Sequence, residues 1–198
     1  MKRELARKAI HVSSTAVPLL VWLVPRPLAI AVLVPVALLA VAVDLARHRI
    51  RPVRYHFLRH TRTMLRAHER RGFAGATWMA LAYAAALLVF PKPVAVAAML
   101  FNGLGDATAA LVGKRWGRHR TAWGKSWEGF AAGLAVDLAV GLGMWMIAPA
   151  AVPLAGAILG AFVAATVEFA PLPLDDNVRV TLAGGAGIVL GALLVGRV

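Results

Sequence analysis

Residues 93–113 read PVAVAAMLFNGLGDATAALVG. The run is about as long as the ~20 apolar residues that cross a hydrocarbon core. It carries one carboxylate, Asp106, and in lipid such a group is expensive enough to mark function by default. Neighbouring stretches repeat the apolar pattern. Roughly 9–25, 27–43, 73–91, 129–148, 151–170 and 179–196 are further candidate spans, seven in all. Pro25, Pro27, Pro91, Pro93, Pro149 and Pro153 mark the tight connections. Across 198 residues, 60% are hydrophobic and 16% charged, against roughly 25% charged in an ordinary soluble domain. A soluble core of this size cannot bury that much apolar surface. The expected fold is therefore all-α: one polytopic membrane domain over 1–198, with about seven transmembrane helices. Met1–Lys8 resembles a signal-peptide start, but no convincing cleavage site follows and the segment reads as retained.

The net charge of +13 sits between the spans. In a soluble protein it would point to nucleic acid. Here anionic lipids and phosphorylated substrates are the expected partners, with no nucleic acid. Lys2, Arg3, Arg7 and Lys8 precede the first span. Nine arginines fill 44–72, and Lys114, Arg115, Arg118, Arg120 and Lys125 fill 113–128. The alternate connections hold only Arg26 and Lys92. The positive-inside rule then places the N-terminus and the basic loops in the cytoplasm. Nearly every carboxylate falls at that same end, Asp137 excepted. A transporter would instead gather its ionisable groups near the midplane.

Cysteine is absent, which excludes disulfides and thiol chemistry. His48, His56, His60, His68 and His119 lie among arginines, where charge repulsion disfavours metal. Asn102 and Asp106 share a face if their segment is helical, and Gly103 and Gly105 allow close approach to the backbone. Gly113-Lys114-Arg115-Trp116-Gly117-Arg118 leads to Gly124-Lys125-Ser126-Trp127-Glu128-Gly129, in which glycines and cations suit a polyphosphate. Gly124-Lys125-Ser126 resembles the end of a P-loop, but the earlier glycine is replaced by His119 and no strand precedes it. Glu168, Asp175, Asp176 and Asn177 form an acidic end that suits Mg²⁺, which prefers oxygen ligands shared with phosphates. The plainer reading of Asp175–Asn177 is a helix cap. Arg7 with His11, Asp44 with Arg47, and Glu69 ahead of Gly75 and Thr77 read singly as anchors or ion pairs.

In this order the motifs resemble the CTP-dependent lipid-alcohol kinases: dolichol kinase, phytol kinase and CTP-dependent diacylglycerol kinase. The resemblance runs through Arg7-Lys8-x-x-His11, Asp44-x-x-Arg47 and Glu69. It continues through Gly105-Asp106-x-x-Ala109-x-x-x-Gly113-x-x-x-Gly117, Lys125-Ser126-x-Glu128-Gly129, Glu168 and Asp176-Asn177. It implies transfer of the γ-phosphate of CTP to a lipid hydroxyl, with Mg²⁺ or another divalent cation, at the cytoplasmic face of the cell (inner) membrane. Under it Asp106, Lys125, Glu128 and Asp176 are catalytic. Asn102, Gly105, Lys114, Gly117, Arg118, Ser126, Arg7, Lys8 and His11 bind nucleotide. Asp106, Glu168, Asp176 and Asn177 hold metal, and Glu128 orients Lys125 or joins the metal. Asp44, Arg47, Glu69 and Thr77 support the lipid side. The chain also resembles CDP-diacylglycerol synthases through Lys125-Ser126-Trp127-Glu128-Gly129-Phe130. Their C-terminal Lys-Asp and His-Gly-Gly-x-x-Asp-Arg-x-Asp signature is replaced here by Asp175-Asp176-Asn177, which favours the kinase.

Overall fold

A computed structural model describes residues 14–61, 65 and 69–196. Among these residues every extended element is a helix, with turns and one isolated bridge between them. The order is α1 (Ala16–Leu23), α2 (Arg26–Arg49), α3 (Arg51–Thr61), α4 (Gly75–Val89), α5 (Lys92–Leu100), a π-helical turn (Phe101–Gly105), α6 (Asp106–Trp116), α7 (Trp127–Ile147), α8 (Leu154–Phe169) and α9 (Asp176–Leu194). A helical backbone satisfies its own hydrogen bonds, which a lipid environment demands.

Four helices are long and apolar enough to cross a membrane: α2, the continuous rod Lys92–Trp116, α7 and α9. The sequence leads one to expect seven spans. Two of the other three appear as shorter apolar helices, α4 with 15 residues and α8 with 16. The remaining one shows eight helical residues in α1, and 1–13 lie outside the described residues. Within 44–72, read from sequence as a connection, α3 is an unforeseen helix with no fully buried side chain.

Proline sets the helix starts. Pro25, Pro91 and Pro153 stand at the N-caps of α2, α5 and α8, where a missing N–H forfeits nothing. At this end of the bundle Arg26 donates to Leu87 O at 2.8 Å, and Lys92 Nζ donates to Trp22 O and Val24 O at 2.7 and 2.8 Å. The two charges in the otherwise uncharged connections thus satisfy terminal helix carbonyls.

The rod Lys92–Trp116 is central, with 67% of its apolar window buried, whereas α2 is peripheral at 17%. Phe101, Leu87, Met99 and Ile188 fill the core. Glycine lets helices meet backbone to backbone. A Cβ at Gly191 on α9 would stand 2.6 Å from the Gly156 Cα of α8. Large apolar side chains remain outside, among them Leu23, Leu38, Leu39, Val89 and Met146, each more than 60% exposed. Such a surface suits lipid rather than water.

Candidate active site

The opposite end of the bundle carries the polar groups. Between α6 and α7 the chain forms a tight hairpin. Thr121 N donates to Lys125 O at 2.8 Å, Trp127 N donates to His119 O at 3.0 Å, and Arg120 and Ser126 pair as an isolated bridge. Gly124 makes the turn at φ +88, a conformation that disfavours any side chain. Arg120 ties the hairpin down by donating to Gly113 O and Gly124 O. Trp123 Nε1 donates to Phe169 O at 2.9 Å, and the Trp123, Trp127 and Phe130 rings pack on Phe169.

This folding aims Lys125 at α8. Its ammonium donates to Glu168 Oε1 at 2.6 Å and to the Glu168 carbonyl. Glu168, not Glu128, therefore orients Lys125, which corrects the sequence expectation. The reason is directional. Glu128 lies in the first turn of α7 and accepts from the His119 backbone at 3.1 Å, within 2.7 Å of His119 Nδ1. It closes the base of the hairpin and is absent from the cleft lining. Ser126 is buried at the N-cap of α7 and accepts from Gly129 N at 3.1 Å. Gly113, Gly117 and Gly129 leave room for its hydroxyl: a Cβ at any of them would stand within 3.1 Å of Ser126 Oγ. Gly117 thus builds the loop, while Ser126 both caps α7 and lines the cleft.

On the other wall the rod widens through one π-helical turn before Asp106. Such turns are frequent at functional sites. Sequence reading put Asn102 and Asp106 on one face, but they serve different places. Asn102 is fully buried, and its Nδ2 donates to Asn177 Oδ1 at 3.1 Å. Asp106 lines the cleft. Gly105 lies against Asp137 of α7, so closely that a Cβ would collide with that carboxylate. Asp137 is 2% exposed, and its Oδ1 accepts no hydrogen bond among the described residues. With Asp106 and Glu168 it borders a small void beneath the cleft.

The cleft measures about 240 Å³. Three carboxylates, Asp106, Glu168 and Asp176, and three cations, Lys114, Arg120 and Lys125, line it. Sequence reading missed Arg120 and named Arg118, which is absent from the lining. Nothing local separates one loop arginine from the next; only the hairpin does. Asp176 bonds to Arg179, whose other nitrogen donates to Val167 O and Ala170 O at 2.9 Å. That clamp at the end of α8 was readable only as an i, i+3 pair. Asp175 caps α9 by accepting from Asn177 N at 3.0 Å. Asn177 bridges α9 to Asn102 and to Gly75 O rather than facing the cleft.

The donor set is all oxygen and suits a hard cation. Among the described residues no group of three or more His, Cys, Asp or Glu is arranged to hold a metal ion. Mg²⁺ needs no such cage, because it commonly uses one or two carboxylates plus phosphate oxygens and water. Asp106, Glu168 and Asp176 are the cleft's carboxylates; Glu168 pairs with Lys125 and Asp176 with Arg179.

The Asp44 group lies apart from the cleft lining and acts as a latch. Asp44 is 1% exposed. It accepts from Arg47, from Ala74 N at 2.9 Å and from the Thr77 hydroxyl at 2.5 Å. Arg47 donates onward to Glu69 O and Gly72 O at 2.9 and 2.7 Å. Glu69 is buried with its Oε1 toward Gly75. The latch fixes the entry to α4, whose Gly75 carbonyl meets Asn177. Arg7, Lys8 and His11 fall outside the described residues.

No family model matches the chain. It is similar to an uncharacterised protein of Rickettsia prowazekii (strain Madrid E), 27% identical over 113 residues. That alignment covers 56% of this chain and 55% of the relative, so the chain spans about half the length of the curated relative it matches. No solved structure matches.

Proposed function

We propose that the chain is a CTP-dependent lipid-alcohol kinase of the inner membrane, with seven spans, a cytoplasmic N-terminus and its cleft on the cytoplasmic side. The observation that carries this reading is the convergence of Asp106, Lys125, Glu168 and Asp176 from four separate segments on one cleft. The acceptor is the hydroxyl of a polyprenol, a phytol-like isoprenoid or diacylglycerol, and the donor is CTP.

Phosphoryl transfer depends on positioning and charge neutralisation more than on covalent help. Lys114, Arg120 and Lys125 hold the donor's phosphates. Glu168 fixes the Lys125 ammonium, so little reorganisation is needed on binding. Asp106 and Asp176 would hold Mg²⁺, which would offset the negative charge of the donor's phosphates. A carboxylate of that pair accepts the hydroxyl proton. The π-helical turn and the close approach of Gly105 to Asp137 set the height of Asp106 in the rod. Arg7, Lys8 and His11 belong to the nucleotide side by the same resemblance.

The test is product identity. Purified protein in detergent, given CTP, Mg²⁺ and a panel of lipid alcohols, should form CDP in step with a lipid phosphate. Pyrophosphate release on addition of phosphatidic acid, with no CDP, would instead assign the chain to the cytidylyltransferases.

A further inference from the structure

A second cavity, of about 430 Å³, opens at the same end of the bundle as the cleft and is walled almost wholly by cations. Arg47 and His48 come from the end of α2, Arg54 and Leu58 from α3, and Arg70 and Arg71 from the strap before α4. Among the described residues no carboxylate lines it. Asp44 is occupied by Arg47, Ala74 and Thr77, and Glu69 turns toward Gly75. Among the described residues, no carboxylate pairs with His48, Arg54, Arg70 or Arg71.

Orienting a membrane protein requires only that cations lie on one side. It does not require three segments to bring them round one hollow. Nor does it explain why Arg47, only 2% exposed, is fixed there by Asp44 and two carbonyls. Convergent guanidinium groups match a phosphate, which they bind through paired N–H donors. The level of the hollow is also informative. It sits where the 24-residue α2 ends, which is headgroup depth for a spanning helix. Leu58 forms its apolar side, and Leu45, Ile50 and Tyr55 are exposed nearby in sequence. On α3, Val53, Phe57, Leu58 and Thr61 are half-buried, Arg51, Tyr55, His56, Arg59 and His60 are exposed, and Arg54 is exposed where it lines the hollow.

We propose that this hollow binds the phosphate of an anionic membrane lipid, at a site separate from the catalytic cleft. The site stands whether or not the cleft transfers phosphate.

The test is lipid binding to detergent-purified protein, read by native mass spectrometry and by melting temperature, with dioleoyl phosphatidate, phosphatidylglycerol and phosphatidylcholine as probes. The variant is Arg54→Gln, Arg70→Gln, Arg71→Gln. A charge-matched control, Arg49→Gln, Arg51→Gln, Arg59→Gln, alters exposed residues outside the hollow. Wild type should retain the two anionic lipids over phosphatidylcholine. The hollow variant should lose affinity by about a hundredfold, on the order of fivefold per lost guanidinium–phosphate contact, while the control stays within about threefold. Equal losses in both variants would reduce the effect to diffuse surface charge and overturn the proposal. Unchanged binding in the hollow variant would overturn it too. Inorganic phosphate is the second arm. Protection by phosphate at the lipids' own concentration would make this a free-phosphate site and refute the lipid assignment.

Discussion

Replacing Asp44 by alanine should destabilise the protein more than any change of similar size on the surface. Asp44 is 1% exposed and Arg47 2% exposed. The substitution leaves the Arg47 charge buried without its carboxylate, and strips acceptors from Ala74 N and the Thr77 hydroxyl. Breaking one side of a buried ion pair costs about 3–5 kcal/mol. Arg47 keeps the Glu69 and Gly72 carbonyls, which favours the lower end, about 3 kcal/mol. The two neutral donors left without that acceptor add roughly 1 kcal/mol each, for a total of about 5 kcal/mol. In a chain of this length that lowers the melting temperature by roughly 10–20 °C. The assay is a melting curve of detergent-solubilised protein, followed by loss of the monodisperse peak in size-exclusion chromatography. The double variant Asp44→Ala/Arg47→Met removes the stranded charge and should recover part of the loss, since replacing both members of a pair is often tolerated. A single variant melting within about 2 °C of wild type, or a double variant less stable than the single, would refute the latch.

Gly129→Ala should push α7 from α6, because its Cβ would stand 2.6 Å from Ala109 O, and should lower stability by about 1–3 kcal/mol. Gly143→Ala on the same helix meets nothing within 4 Å and should leave the melting temperature unchanged or slightly raised. Lys125→Met should abolish transfer and lower the melting temperature by stranding Glu168. Adding Glu168→Gln should restore stability without activity, as thermal and turnover assays on the same preparations would show. Arg120→Gln should raise the KM for nucleotide about tenfold or more, while Arg118→Gln stays near wild type in steady-state kinetics, because only Arg120 lines the cleft.

The apolar helices were legible because their signal is local. Apolar runs and flanking prolines placed most helix boundaries within a few residues. Pro25, Pro91 and Pro153 stand where the sequence put them. The grouping of Asp106, Lys125, Glu168 and Asp176 was legible as well, since charges stranded at one end of several spans have few places to go. Three features were not legible. The π-helical turn, and the approach of Gly105 to Asp137 across helices beside it, have no local signature. The partner of Lys125 is decided by the hairpin's direction, so nearby Glu128 was the natural but mistaken choice. The choice of Arg120 over Arg118 follows from a turn at Gly124 that sequence alone does not orient. The Asp44 pair was seen as an i, i+3 contact, but its hold on Ala74 and Thr77 lies 30 or more residues away.

Transfer of the terminal phosphate is the most direct measurement of the proposed activity. Wild-type protein and Asp106→Asn, both shown to be monodisperse, would be given Mg²⁺, a lipid-alcohol panel, and CTP labelled at either the γ- or the α-phosphate. A kinase puts γ-label, and no α-label, into a lipid phosphate, and the Asp106→Asn protein loses that transfer by on the order of a thousandfold. Appearance of α-label in lipid, or near-normal γ-transfer by the variant, would contradict the proposed reaction or the role given to Asp106.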